Sequence, residues 1–198
     1  MNTRKLATAG AAVLAVAVGL AIVLGGGGDG AEVDDIDGAF IVEMVAHHEM
    51  AVEMAEMAQA QAGHPQIQRL AAEIIAAQQG EIEELESIHE RLYEEPAGEV
   101  DFASLPISEG DAGMNMDMEM LMSAEPFDRE FIDMMIPHHR GAIRMARLEL
   151  DQGSDPEARQ LAKGIIAAQS REIVEMNQWR MQWYGEPSPA GSIPPEDG

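Results

Sequence analysis

Two adjacent histidines occur twice in this chain, as His47-His48 and His138-His139. Methionines flank each pair at the same distances, Met44 and Met54 in the first case and Met135 and Met145 in the second. Imidazole nitrogen and thioether sulfur together suit a soft transition-metal ion, Cu(I) first and Ag(I) by the same softness argument, whereas hard cations prefer all-oxygen cages. Cu(II) or Zn could instead use the histidines with Glu81 and Glu172, without sulfur. The chain has no cysteine, so thiolate sites, disulfides and a lipid-bearing Cys are all excluded. Any metal must be held by His, Met, Asp or Glu.

A second methionine pattern stands apart from the histidines. Met114, Met116, Met118, Met120 and Met122 occupy every second position of one short stretch, with polar or acidic residues and Leu121 between them. A flexible segment of this kind can wrap a soft cation with several sulfurs, while its carboxylates add a general attraction for cations. The expectation is a capture arm with no rigid geometry.

These residues need elements to position them, and the dominant feature of the chain supplies those elements. Residues 40–96 laid over 131–187, at a constant offset of 91 with no gap, are identical at 23 of 57 positions, which marks an internal duplication. Apolar residues recur at three- and four-residue spacing in each copy, as in Phe40, Ile41, Met44, Ala51 and Ala55, then Leu70, Ile74, Ile82 and Leu85. This is helical periodicity without strand-like alternation. Gly63-His64-Pro65 and Gly153-Ser154-Asp155-Pro156 punctuate the two copies, with Asp155 a natural N-cap and each proline suited to a first helical turn. The predicted fold is all-α, a four-helix, ferritin-like bundle of two helical hairpins. Repeat 1 spans about 36–96, a long linker 97–125 and repeat 2 about 126–186. Pro137, where the first copy has Ala46, should kink or open its helix and make the two His pairs differ.

His48 falls on the apolar stripe of its helix, and Gln78, Glu81, Gln169 and Glu172 fall on those of the partner helices. Burying such groups costs several kcal/mol unless each is partnered, so the bundle needs either mutual hydrogen bonds or a metal. A purely structural or interaction bundle, with the repeated His, Gln and Glu as a hydrogen-bond network, is one alternative. Another is a ferritin-like di-metal oxidase, drawn from the Glu-x-x-His spacing of Glu86 and His89. The second copy has Asn177 and Arg180 at those places, so half the expected ligands of such an enzyme are missing. His64 is read as a turn residue and His89 as exposed; Trp179, Trp183 and Tyr184 are read as aromatic packing at one end of the bundle.

With 36 acidic against 12 basic residues and a net charge of −24, the chain is no candidate for binding nucleic-acid phosphates. Arg4 and Lys5 precede an apolar, uncharged run over residues 6–24 that leads into four glycines. Segment 1–28 is therefore read as a signal anchor or signal peptide. The bundle is then exported, held at the cell membrane through that helix or secreted if it is cleaved. The tail after residue 186 carries four prolines among small and acidic residues and is expected to be solvated and disordered.

The stretch Phe131-Ile132-Asp133-Met134-Met135-Ile136-Pro137-His138-His139 resembles the bacterial family called domain of unknown function 305, as do residues 165–169 followed by Glu172, Ile173 and Met176. The resemblance covers both repeats. It implies an exported, ferritin-like bundle with His and Met ligands that binds copper and serves metal resistance, without establishing an enzyme. Position by position it falls on His138, His139, Met135 and Met145, then on His47, His48, Met44 and Met54. The first copy departs from the family pattern at Val45-Ala46. The expected function is a cell-envelope copper-binding protein that sequesters Cu(I) or hands it to a delivery protein.

Overall fold

The computed structural model describes residues 35–97 and 105–195. Among them are five helices, α1 (Ile36–Gln61), α2 (Pro65–Tyr93), α3 (Met118–Ser123), α4 (Phe127–Gln152) and α5 (Pro156–Tyr184), and no strand. The duplication is kept to the residue, for α1 and α4 both have 26 residues and α2 and α5 both have 29. The expected signal or membrane segment lies outside the described residues. No described helix is long and apolar enough to cross a membrane.

Local chemistry sets the helix ends. Asp155 accepts from the backbone N–H groups of Glu157 and Ala158, as its N-cap role requires, and Pro65 and Pro156 occupy first-turn positions. α2 and α5 stop at equivalent left-handed residues, Glu94 (φ 59°) and Gly185 (φ 87°). α4 continues through Pro137 as one helix, so the proline does not divide it.

Two helical hairpins, α1–α2 and α4–α5, pack against each other chiefly through α1 and α4, while α2 and α5 touch sparsely. A reciprocal device joins them. Asp37, in the first turn of α1, accepts hydrogen bonds from the Ser154 N–H and hydroxyl and from the Asp155 N–H. Asp128, its equivalent in α4, accepts from the Gly63 and His64 N–H groups at 2.9 and 2.8 Å. Each copy thus satisfies the exposed donors of the other copy's turn.

The core consists of two apolar clusters. One contains Met54, Ile74, Leu121, Phe131, Met135, Ile143 and Ile173. The other contains Phe40, Met44, Leu85, Met145 and Ile165. Because Met44 and Met54 of α1, like Met135 and Met145 of α4, belong to different clusters, the histidine pairs occupy the layer between.

His89 is fully buried, contrary to the expected exposure. Its ring Nδ1 meets the Glu95 carbonyl at 2.9 Å. At the equivalent position Arg180 is also buried, donating to the Glu186 carbonyl and to both carboxylate oxygens of Asp133. One polar side chain per copy therefore ties the end of its hairpin to the segment that follows. Glu86, by contrast, is exposed, so the Glu-x-x-His pair is divided between surface and interior. Trp183 stacks on His64 with ring centroids 3.8 Å apart and on Trp179 at 5.6 Å.

The tail has no helix between residues 185 and 195 and most of its residues are exposed, but several points anchor it to the bundle. Ser188 is buried, Ala190 and Ile193 pack on the first cluster, and Arg140, Arg147 and Asn177 donate to carbonyls of the segment 191–195. Proline leaves these carbonyls free of regular structure, and side-chain donors take them up instead.

Candidate metal centre

α1 and α4 bring His47, His48, His138 and His139 into the interior, all with no solvent exposure. At the centre, the rings of His47 and His138 lie 3.6 Å apart between centroids with a tilt of 33°. His47 donates its Nε2–H to the His138 carbonyl at 3.1 Å, which leaves Nδ1 with the lone pair. That Nδ1 and both ring nitrogens of His138 have no hydrogen-bond partner. Burial, followed by the neighbouring imidazoles, holds both rings well below the ordinary histidine pKa. They are neutral at physiological pH, the state in which imidazole can ligate a metal.

The outer members of each pair both approach a carboxylate, but only His139 Nε2 is hydrogen-bonded to it, whereas neither ring nitrogen of His48 has a hydrogen-bond partner. His48 Nε2 lies 2.8 Å from a carboxylate oxygen of Glu81, and His139 Nε2 lies 2.5 Å from Glu172. Each contact crosses one hairpin, α1 to α2 or α4 to α5. The other ring nitrogen, Nδ1, is buried without a partner in both residues. A carboxylate on one nitrogen of a histidine orients the ring and raises the basicity of the other, an arrangement common behind metal-ligating histidines. Gln78 and Gln169, also buried, retain unpartnered amide atoms in the same layer.

Buried orphan nitrogens are costly and rare, and in a layer of four they call for a ligand. Met44, Met54 and Met135 have no exposure and Met145 has 1%, so two of these buried methionines stand in the core cluster on either side of the histidine layer. Among the described residues, no three His, Asp or Glu side chains form a ready-made cation site. A metal bound here would therefore have to draw on thioethers, on rotation of the stacked rings, or on both. The donor set, neutral imidazole with buried sulfur, fits a soft ion.

The methionine run is less free than its composition implies. Asp117 caps α3 by accepting from the Met120 N–H, and Leu121 is completely buried. Met114, Met116 and Met118 pack partly against the core, whereas Met120 and Met122 stay exposed. Met116, Met118 and Met120 share a groove with Met134 of α4 and with the carboxylates of Asp117, Glu119, Glu130 and Asp133. Met134 is a neighbour that spacing alone did not single out. The linker also crosses α4 at close range, for a Cβ on Gly141 would stand 1.8 Å from the Ala112 carbonyl oxygen.

The profile of the family described as domain of unknown function (DUF305) matches residues 37–189. Among solved structures, the chain is similar to the protein CopM in its Cu(I)-bound form, with 39% identity, TM-score 0.65, and coverage of 75% of this chain and 98% of that one. Similarity to CopM in its Cu(II)-bound form gives 38% identity and TM-score 0.67, with 75% and 97% covered. A DUF305 fragment from Deinococcus radiodurans is 26% identical at TM-score 0.64, with 77% and 99% covered. An uncharacterized protein, L153, from Acanthamoeba polyphaga mimivirus is 44% identical over 50 residues. That match spans a quarter of this chain and a third of the viral protein.

Proposed function

The chain belongs to the domain of unknown function 305 family, and from that premise we propose that it is an exported copper-binding protein that sequesters Cu(I), or Ag(I), and passes it on. The observation that carries this reading is the layer of four buried histidines with unpartnered nitrogens, repeated in both copies and enclosed by buried thioethers. Similarity to CopM, solved with Cu(I), Cu(II) and Ag, supports the same ions. The four long helices are read as a ferritin-like bundle that serves binding without turnover.

In this reading His47, His48, His138 and His139 supply nitrogen and Met44, Met54, Met135 and Met145 supply sulfur. Glu81 and Glu172 act from behind, fixing the outer rings through Nε2 rather than ligating. The run from Met114 to Met122, with Met134, is a shallower outer site where an ion is collected before it enters or after it leaves. Export rests on the apolar run at residues 6–24, whether that run is retained in the cell membrane or cleaved.

Anaerobic titration with Cu(I) against a competing chelator tests the reading, beside a variant with all four paired histidines changed to Ala and a second with Met116, Met118 and Met120 changed to Leu. Tight binding lost in the histidine variant, with helical circular dichroism retained, is expected. Undiminished binding in that variant would overturn the buried site and move the chemistry to the linker.

A further inference from the structure

The same face of the two hairpins is treated in opposite ways. In α4, Arg140, Arg144 and Arg147 form a stripe, and all three donate to backbone carbonyls: Arg140 to Ser192, Arg144 to Asp111, and Arg147 to Pro194 and Pro195. The chain's own tail and linker thereby cover the α4–α5 hairpin. Beneath the tail Ile143 and Ile173 have no exposure, and Ile193 enters their cluster. At the positions 91 residues earlier α1 carries Glu49, Glu53 and Glu56, so the charge is inverted at each of the three places. All three glutamates are exposed, and none of them is among the described ion pairs. Val52 and Ile82, the equivalents of Ile143 and Ile173, remain part-exposed and belong to neither core cluster.

We propose that this α1–α2 face is a docking surface for an extended, basic segment of a partner protein, with an aliphatic side chain seated on Val52 and Ile82 and cations on Glu49, Glu53 and Glu56. The equivalent seam of the α4–α5 hairpin holds an extended, proline-containing strand, which is the precedent for an occupant of the same shape here. The charge inversion then sets the chemistry of the occupant. Where arginines grip carbonyls in copy 2, glutamates in copy 1 can only accept, so the occupant must bring donors of positive charge. The chain's own tail is a poor occupant for this face, since its Glu186, Glu196 and Asp197 would meet three carboxylates.

Geometry fixes the spacing as well. Seven helical residues from Glu49 to Glu56 rise about 10 Å, which an extended peptide covers in about three residues. The two outer cations therefore stand about three residues apart, with the aliphatic residue between them. None of this depends on copper, so the inference stands or falls apart from the metal reading.

The test is fluorescence anisotropy with a labelled synthetic peptide, Gly-Lys-Ser-Ile-Lys-Pro-Gly, against the whole protein. Three variants run beside it: Glu49→Gln/Glu53→Gln/Glu56→Gln, Val52→Ser, and a charge-matched control, Glu84→Gln/Glu109→Gln/Glu175→Gln, altered at exposed sites away from this seam. Binding that weakens with salt, falls at least about tenfold in the first variant, falls in Val52→Ser and survives in the control is expected. Equal losses in the first variant and the control would reduce the effect to diffuse attraction by an acidic protein and overturn the proposal. No binding to the unaltered protein, or binding indifferent to Val52, would overturn it too.

Discussion

Asp37 and Asp128 hold equivalent places in the duplication, and each caps the hairpin turn of the opposite copy. The interface between hairpins is therefore specified by two aspartates that take backbone N–H groups of the turns, supplemented by one side chain of each turn, the Ser154 hydroxyl on Asp37 and the His64 Nδ1 on Asp128. For Asp37, burial alone would raise the pKa, yet the hydrogen bonds from Asp155 and Ser154 prevail and hold it below the ordinary carboxylate value. Asp37→Ala leaves the buried Asp155 N–H unpaired, along with the Ser154 N–H and hydroxyl nearer the surface, and should cost about 1–3 kcal/mol. In a domain of this size that is a fall of several degrees in Tm, about 2–4 °C per kcal/mol. Thermal denaturation of Asp37→Ala and Asp128→Ala should show similar falls. A negligible change in both would remove the reciprocal caps from the account of how the hairpins meet.

Glu149 gives a pH dependence of known sign. Its carboxyl is buried beside Asp37, and desolvation first, then that neighbouring carboxyl, pushes its pKa up to about 8. A native pKa above the unfolded one means that the folded protein holds the proton more tightly. This contribution is complete below the unfolded value near 4.5 and is lost as pH rises through about 8. His47 and His138 act oppositely, since their lowered pKa values favour the folded state above the ordinary histidine value and cost stability as pH falls below it. Urea denaturation of the metal-free protein should show stability declining from the ordinary histidine value of 6.5 to about pH 8 and levelling off above it. Glu149→Gln, which keeps a neutral donor at that place, should flatten the decline. The same decline in the variant would refute the assignment.

The helices, their duplication, the histidine pairs and the Asp155 cap were legible in the sequence because each rests on local periodicity or on a repeat at fixed offset. His89 was misjudged because its counterpart is Arg180, and a mismatch at the offset reads as a surface position. In space both side chains reach the carbonyl of equivalent residues, Glu95 and Glu186. The docked tail was hidden for a different reason. Its anchors are backbone carbonyls gripped by Arg140, Arg147 and Asn177, and a composition of proline and small residues shows only that the chain cannot be helical there. The offset did hold an unused signal, the inversion of Glu49, Glu53 and Glu56 to Arg140, Arg144 and Arg147.

Glu81 and Glu172 provide a test of how the imidazoles are held. If they orient His48 and His139 from behind, Glu81→Gln and Glu172→Gln should each weaken Cu(I) binding by about 10–100-fold while the ion remains bound mainly by nitrogen and sulfur. X-ray absorption of the loaded variants should show the same first neighbours as the unaltered protein. Loss of an oxygen neighbour in either variant would instead make the carboxylate a ligand.

Glycines separate packing from helix propensity. Gly141 lies where the linker crosses α4, and a Cβ there would meet the Ala112 carbonyl oxygen at 1.8 Å and the Ala112 carbonyl carbon at 2.1 Å. Backbone must move to admit it. The residues displaced adjoin Gly113, which itself packs against the Pro137 carbonyl and His138 with φ +72°. Gly141→Ala should therefore lift the linker from the histidine layer, raise proteolysis within residues 105–117 and lower Tm. Gly80 and Gly164, on α2 and α5, have nothing within 4 Å of their Cβ positions. Alanine at either should stabilise its helix by about 0.5–1 kcal/mol and leave the linker uncut. Equal protease sensitivity in Gly141→Ala and Gly80→Ala would mean that the linker does not depend on this close approach.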